Sequence, residues 1–196
     1  MKTTHLLYLH GFRSSPQSTK ARLMAERMQR EHPAVIWCCP QLPPSPAAAM
    51  ALLRELTVDW PRESMAVVGS SLGGCYAARL ASETSCARLV LINPAVHPSR
   101  DLTKYIGEQS HWHDPQQNFR FGLEHIDELR AIEAFELPHP GHCLLIAAKG
   151  DEVLDWREMV ARFPGAQLRL VEDSDHALSD FEAAHLDAVI AFLQPA

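Results

Sequence analysis

Nowhere in the 196 residues is there an apolar run approaching the roughly 20 residues that a helix needs to span a bilayer. The early stretch Leu6-Leu7-Tyr8-Leu9 is too short for a secretory apolar region and lacks a small-residue cleavage site. The chain therefore reads as soluble and cytoplasmic. Cysteine is scarce: Cys38, Cys39, Cys75, Cys86 and Cys143 are odd in number and show no C-x-x-C spacing. That argues against a disulfide framework or structural zinc and suits a reducing compartment. Positive charge is short too, with 18 Lys and Arg against 24 Asp and Glu and a formal net charge of −6. A nucleic-acid partner needs a clustered basic surplus, so none is expected. At 46% hydrophobic and 21% charged, the composition excludes a disordered or collagen-like chain. What these absences leave is one globular domain spanning 1–196.

Short apolar runs alternate with longer helix-like segments. Strands are expected at 5–9, 34–38, 65–69, 87–92, 142–148 and 167–172, several apolar throughout, as in strands covered on both faces. Helices are expected at 17–31, 46–58, 72–83, 155–163 and 179–193. Ala21, Met24, Ala25 and Met28 make one apolar stripe at helical spacing; Phe181, Leu186, Val189, Ile190 and Leu193 make another, with Ser179 or Asp180 as N-cap. This alternation predicts an α/β fold, a mostly parallel sheet of about six strands with helices on both faces. Residues 98–135 interrupt the period. They are polar and aromatic (Tyr105, Trp112, Phe119, Phe121) and read as a small helical, lid-like insertion after the fourth strand, with a helix at 123–135. The proline-rich Pro40–Pro46 stretch falls between a strand and a helix and reads as a rigid loop.

Gly69-Ser70-Ser71-Leu72-Gly73 matches G-x-S-x-G, and it lies where a strand is expected to turn into a helix. Such a turn exposes the Ser71 hydroxyl as a nucleophile. The flanking Gly69 and Gly73 let strand and helix approach, while Gly74 extends the small-residue surface. His10-Gly11-Phe12 follows the first strand, and the backbone N–H groups of Phe12 and Leu72 are the expected donors of an oxyanion hole. His10 precedes the nucleophile in the chain and reads as a structural imidazole, since this arrangement runs Ser, acid, His. Asp151 is the first acidic residue after the fifth strand and the favoured orienting acid. Asp155, with Glu158 three residues later, reads rather as a capping box. Only His176 and His185 follow Asp151; His176, on the loop before the last helix, is the expected base, and His185 a packing residue. Asp173 and Asp175 read as solvated loop carboxylates. His111, His113 and Asp114, with His139 and His142, have metal-like spacing but lack the remainder of a zinc-hydrolase pattern, so no metal is expected.

Taken together, LYLHGFRSSPQSTKA, PQLPPSP, VVGSSLGGCYA, INPAVHP, KGDEVLDWRE and SDHALSDFE resemble the small bacterial esterases of the YqiA type, essentially end to end. The resemblance implies a compact α/β-hydrolase, serine carboxylesterase activity, no cofactor, and a triad of Ser71, Asp151 and His176; the expected reaction is hydrolysis of short-chain acyl esters through an acyl-enzyme on Ser71. Two alternatives stay open. A thioesterase on the same triad is motivated by Arg13, whose guanidinium beside the oxyanion loop is a possible contact to an anionic acyl carrier. From another class comes a binding protein that keeps the fold without turnover. The expected partner is a small-molecule ester or thioester; oligomeric state is not legible.

Overall fold

A computed structural model of the protein describes residues 1–196. From the start run β1 (His5–Leu9), α1 (Thr19–Glu31), β2 (Ile36–Cys38), α2 (Pro46–Thr57), β3 (Met65–Ser70), α3 (Leu72–Thr84) and β4 (Arg88–Ile92). Shorter elements follow: α4 (Pro98–Asp101), β5 (Gly107–Ser110), β6 (Asn118–Phe121) and α5 (Leu123–Glu133). The chain ends with β7 (Cys143–Ala148), α6 (Trp156–Arg162), β8 (Gln167–Val171), a π-helical turn at Phe181–His185, and α7 (Leu186–Leu193).

Six strands pair in the order β2-β1-β3-β4-β7-β8, every neighbouring pair parallel. Their apolar runs supply two cores at once, because successive side chains point to opposite faces. Leu7, Leu9, Val67, Leu89, Leu91, Leu145 and Ala147 face one core, together with Met50 and Leu53 of α2, Tyr76 and Leu80 of α3, and Leu129 of α5. Leu6, Tyr8, Ala66, Val68, Val90, Ile92, Leu144 and Ile146 face the other, packed by Met24 and Met28 of α1 and by Val189, Ile190 and Leu193 of α7. Each of these large side chains, fully buried, contributes about 1.5–3 kcal/mol of transfer free energy. No helix is long and apolar enough to cross a membrane.

Local chemistry sets several boundaries. Ser45 ends the proline-rich loop and caps α2: its hydroxyl accepts the Ala48 N–H at 3.1 Å, and Pro46 takes the first helical position. Asp155 caps α6 by accepting the Arg157 N–H at 2.9 Å. Glu158 does not complete a capping box; its carboxylate forms a bidentate pair with Arg100 at 2.8 and 2.6 Å. The last helix is broken by the π turn. Asp180 heads it without capping it, its carboxylate being turned to Ser174 and to the buried His185.

The insertion departs from the expectation of a purely helical segment. Its centre is an antiparallel hairpin of β5 and β6, in register Gly107↔Phe121 to Ser110↔Asn118. The reason lies in the two-residue alternation of Asn118-Phe119-Arg120-Phe121. Phe119 and Phe121 turn inward, where their rings meet Phe12 at 6.0 and 5.0 Å, while Arg120 stands opposite Glu108.

β1 and β3 are adjacent, but the chain leaves β1 toward β2 on one side and leaves β3 toward β4 on the other. Loops diverge above such a switch point and leave a crevice at the strand C-termini.

Candidate active site

The crevice opens where β3 becomes α3. Strand ends at Ser70 and helix begins at Leu72, so Ser71 makes the reversal alone, with φ 56° and ψ −123°. A non-glycine residue in that region carries a strain of about 1–3 kcal/mol and needs a surrounding structure that holds it. Here the Ser71 N–H donates to Ile92 O at 3.0 Å, and its carbonyl accepts from Gly74 N–H at 2.9 Å and Ala95 N–H at 3.0 Å. The glycines are required by close approach. A Cβ on Gly73 would stand 2.1 Å from Leu9 O, and one on Gly69 2.3 Å from Gly73 O. Gly11 lies directly over Ser71, its own Cβ position being 3.1 Å from Ser71 Cβ.

Two late loops reach this turn. After β7 comes Asp151, whose side chain is wholly buried; after β8 comes His176. His176 Nε2 lies 3.0 Å from Ser71 Oγ, and His176 Nδ1 lies 2.7 Å from Asp151 Oδ2. The other carboxylate oxygen of Asp151 accepts the Val153 and Leu154 N–H groups, both at 2.8 Å. A carboxylate can only accept, so Nδ1 carries the imidazole proton and Nε2 presents its lone pair to the serine hydroxyl. Asp155 is occupied in its cap, Asp173 is exposed, and Asp175 accepts from the N–H and hydroxyl of Ser179.

The remaining expected site residues sort by contact. Phe12 N–H has no acceptor within the protein, and Leu72, as first residue of α3, has an N–H that its helix cannot pair. Leu72 directly follows Ser71, and Phe12 follows Gly11, which lies over Ser71. His10 makes no hydrogen bond to Ser71. Its Nε2 accepts the Leu42 N–H at 3.1 Å and its Nδ1 donates to Gly11 O at 3.0 Å, which ties the β1 loop to the proline-rich loop. Burial pushes its pKa down to about 4, so the ring stays neutral. Arg13, expected as a substrate contact, lines a small cavity beside Phe12 and Leu72 and is engaged with the hairpin. Its guanidinium donates to Ser110 O at 2.7 Å and lies 4.2 Å over the Trp112 ring, while Arg13 O accepts the Trp112 N–H at 2.8 Å. It fastens the hairpin. His111 packs on Phe119 and His139 on His142, and no three His, Cys, Asp or Glu side chains are grouped to hold a metal.

Three participants escape sequence reasoning. Asn93, completely buried with φ 41°, donates from Nδ2 to Asp175 O at 3.1 Å and His176 O at 3.0 Å, and its Oδ1 accepts the Ala148 N–H at 2.8 Å. Glu152 accepts the His176 backbone N–H at 3.0 Å. Lys20 lines the cavity in front of Ser71. That cavity has a volume of about 240 Å³, and its walls include Gly11, Phe12, Trp112 and His176. Asn93 had a signal in the Asn-Pro that follows a strand; the other two had none.

The family model described as "Uncharacterised protein family (UPF0227)", the family of the YqiA-type proteins, matches residues 5–194. Among solved structures, a protein of Agrobacterium vitis S4 superposes with a TM-score of 0.76 at 18% identity, over 98% of this chain and 91% of that one. A chain from LipS and LipT, two metagenome-derived lipolytic enzymes, gives 0.71 at 20% identity, over 98% and 94%. Mouse alpha/beta hydrolase domain-containing protein 10 gives 0.68 at 18% identity, over 97% and 87%. These likenesses speak for the fold, which is that of the α/β hydrolases.

Proposed function

Because the chain belongs to UPF0227, the YqiA-type family, and has the α/β-hydrolase fold, we propose that it is a serine hydrolase of carboxylic esters. The observation that carries this is the hydrogen-bonded line from Asp151 through His176 to Ser71, ending in an open cavity.

Attack begins when His176 Nε2 takes the proton of Ser71 Oγ as the oxygen adds to the ester carbonyl. Asp151 holds the ring in the tautomer this requires and stabilises the imidazolium that forms. The tetrahedral oxyanion is met by the Phe12 and Leu72 N–H groups at the positive end of α3. Collapse expels the alcohol, which takes the proton from Nε2 and leaves an acyl group on Ser71. Water then attacks with His176 again as base, and the carboxylic acid departs. Short acyl chains are favoured, since about 240 Å³ lies below the ~300–1,000 Å³ of sites for larger ligands. The insertion acts as a lid-like wall, with Trp112 of the hairpin loop at the cavity. The ester reading is preferred to the thioesterase one, since the Arg13 guanidinium already has partners in Ser110 and Trp112.

Initial rates on p-nitrophenyl esters of graded chain length test the proposal. Wild type is expected to turn over the short esters best, and Ser71→Ala to lose about 10⁴-fold or more in kcat. A Ser71→Ala protein within about tenfold of wild type would sink the assignment.

A further inference from the structure

Lys20 occupies the second position of α1, and its side chain reaches the cavity shared by Ser71, His176 and Trp112. An ammonium offers three donors. Of these, one goes to the Ala177 carbonyl. The acidic groups in its surroundings are engaged elsewhere: Asp175 with Ser179, and Asp151 with His176, Val153 and Leu154. Neither pairs with Lys20, and no Asp or Glu lines the cavity. Partial burial lowers the Lys20 pKa to about 8, and it stays mostly protonated at neutral pH. The rest of the wall suits an anion as well. Ser14 and Ser18 contribute hydroxyls, Ser18 does not spend its side chain on capping α1, and the first turn of α1 holds no acidic residue.

A half-buried cation with spare donors, on the wall of the cavity that holds the nucleophile, is stabilised when the ligand brings the opposite charge. The geometry points to Lys20 as a specificity residue, and to preferred substrates that carry a negatively charged group close to the scissile ester. This deepens the serine-hydrolase proposal and rests on it.

Matched ester pairs test it, with carboxylate as the probe. p-Nitrophenyl valerate against p-nitrophenyl hemiglutarate exchanges a terminal methyl for a carboxylate on the acyl side. Phenyl butyrate against p-carboxyphenyl butyrate places the charge on the alcohol side. The readout is the charged-to-neutral ratio of kcat/KM, corrected for uncatalysed hydrolysis, in wild type, Lys20→Gln and Lys20→Arg. Gln keeps an N–H for the Ala177 carbonyl without the charge, and Arg keeps the charge. In at least one pair the ratio is expected to fall about 10- to 100-fold in Lys20→Gln, the size of a hydrogen bond to a charged group, and to survive largely in Lys20→Arg. Equal losses on charged and neutral esters would mean that Lys20 only braces Ala177. That would overturn the anion preference while leaving the hydrolase reading intact, since turnover continues. Absence of any Ser71-dependent turnover in wild type would overturn both.

Discussion

Replacing Asn93 with Ala should cost the protein both stability and rate, for reasons that can be sized separately. The side chain joins three pieces of backbone: the end of β7 at Ala148, and the carbonyls of Asp175 and His176 on the loop that presents the imidazole. Three hydrogen bonds at a net ~1 kcal/mol each give about 3 kcal/mol. The Ala148 N–H, on a residue with no exposure, would be left without its acceptor. Asn also tolerates the positive φ at this position better than Ala, adding about 1 kcal/mol. A total near 4 kcal/mol corresponds to a fall in melting temperature of roughly 8–16 °C for a chain this long. Loosening the His176 loop should lower kcat/KM by about 10²-fold, the usual effect of a 1 Å misplacement. Urea titration followed by circular dichroism measures the first effect, and p-nitrophenyl ester kinetics the second. Asn93→Asp sharpens the comparison. It keeps an acceptor for Ala148 N–H but turns a carboxylate toward two carbonyls, so it should be at least as damaging. If Asn93→Ala stays within about 1 kcal/mol of wild type and turns over normally, Asn93 does not brace the loop.

Other outcomes follow from the same geometry. Asp151→Asn should leave the fold in place by circular dichroism and reduce kcat by about 10³–10⁴-fold, because an amide can favour the wrong imidazole tautomer. Gly73→Ala drives a Cβ into the Leu9 and His10 carbonyls at 2.1 and 2.6 Å, so loss of soluble protein or of at least ~3 kcal/mol is expected in denaturation. His10 titrates near 4 when folded and near 6.5 when unfolded, so the unfolded chain binds its proton first as pH falls. Its contribution is whole above about pH 6.5 and is lost progressively toward pH 4, about 3 kcal/mol in all. Urea midpoints across that window should therefore drop less steeply in His10→Gln than in wild type.

Much of the architecture was legible because parallel strands buried on both faces leave a distinctive record. Runs such as Met65–Gly69 and Leu144–Ala148 are apolar without alternation, and five of the expected strands lie within a residue of those observed. β2 is shorter than expected, being half-exposed at the sheet edge. Local motif and chain order single out Ser71, Asp151 and His176, and the fold puts the three in contact. The hairpin was missed because each strand has four residues and only β6 alternates. The partners of Arg13, Ser110 and Trp112, lie about a hundred residues away, and its position beside the oxyanion loop says nothing of them. Lys20 shares that difficulty, and Asn93 does in part: Asn-Pro after a strand marks the position, but the carbonyls of the His176 loop that each side chain meets are encoded by no local pattern.

Reaction with a fluorophosphonate probe, read by intact mass and peptide mapping, bears on the proposed chemistry without any assumption about the natural substrate. An activated serine attacks phosphorus irreversibly, whereas an ordinary hydroxyl does not react. Wild type should gain one probe mass, located on Ser71, and Ser71→Ala and His176→Ala should gain none. Labelling that persists in Ser71→Ala, or a wild-type protein that folds and never labels, would contradict the proposed nucleophile.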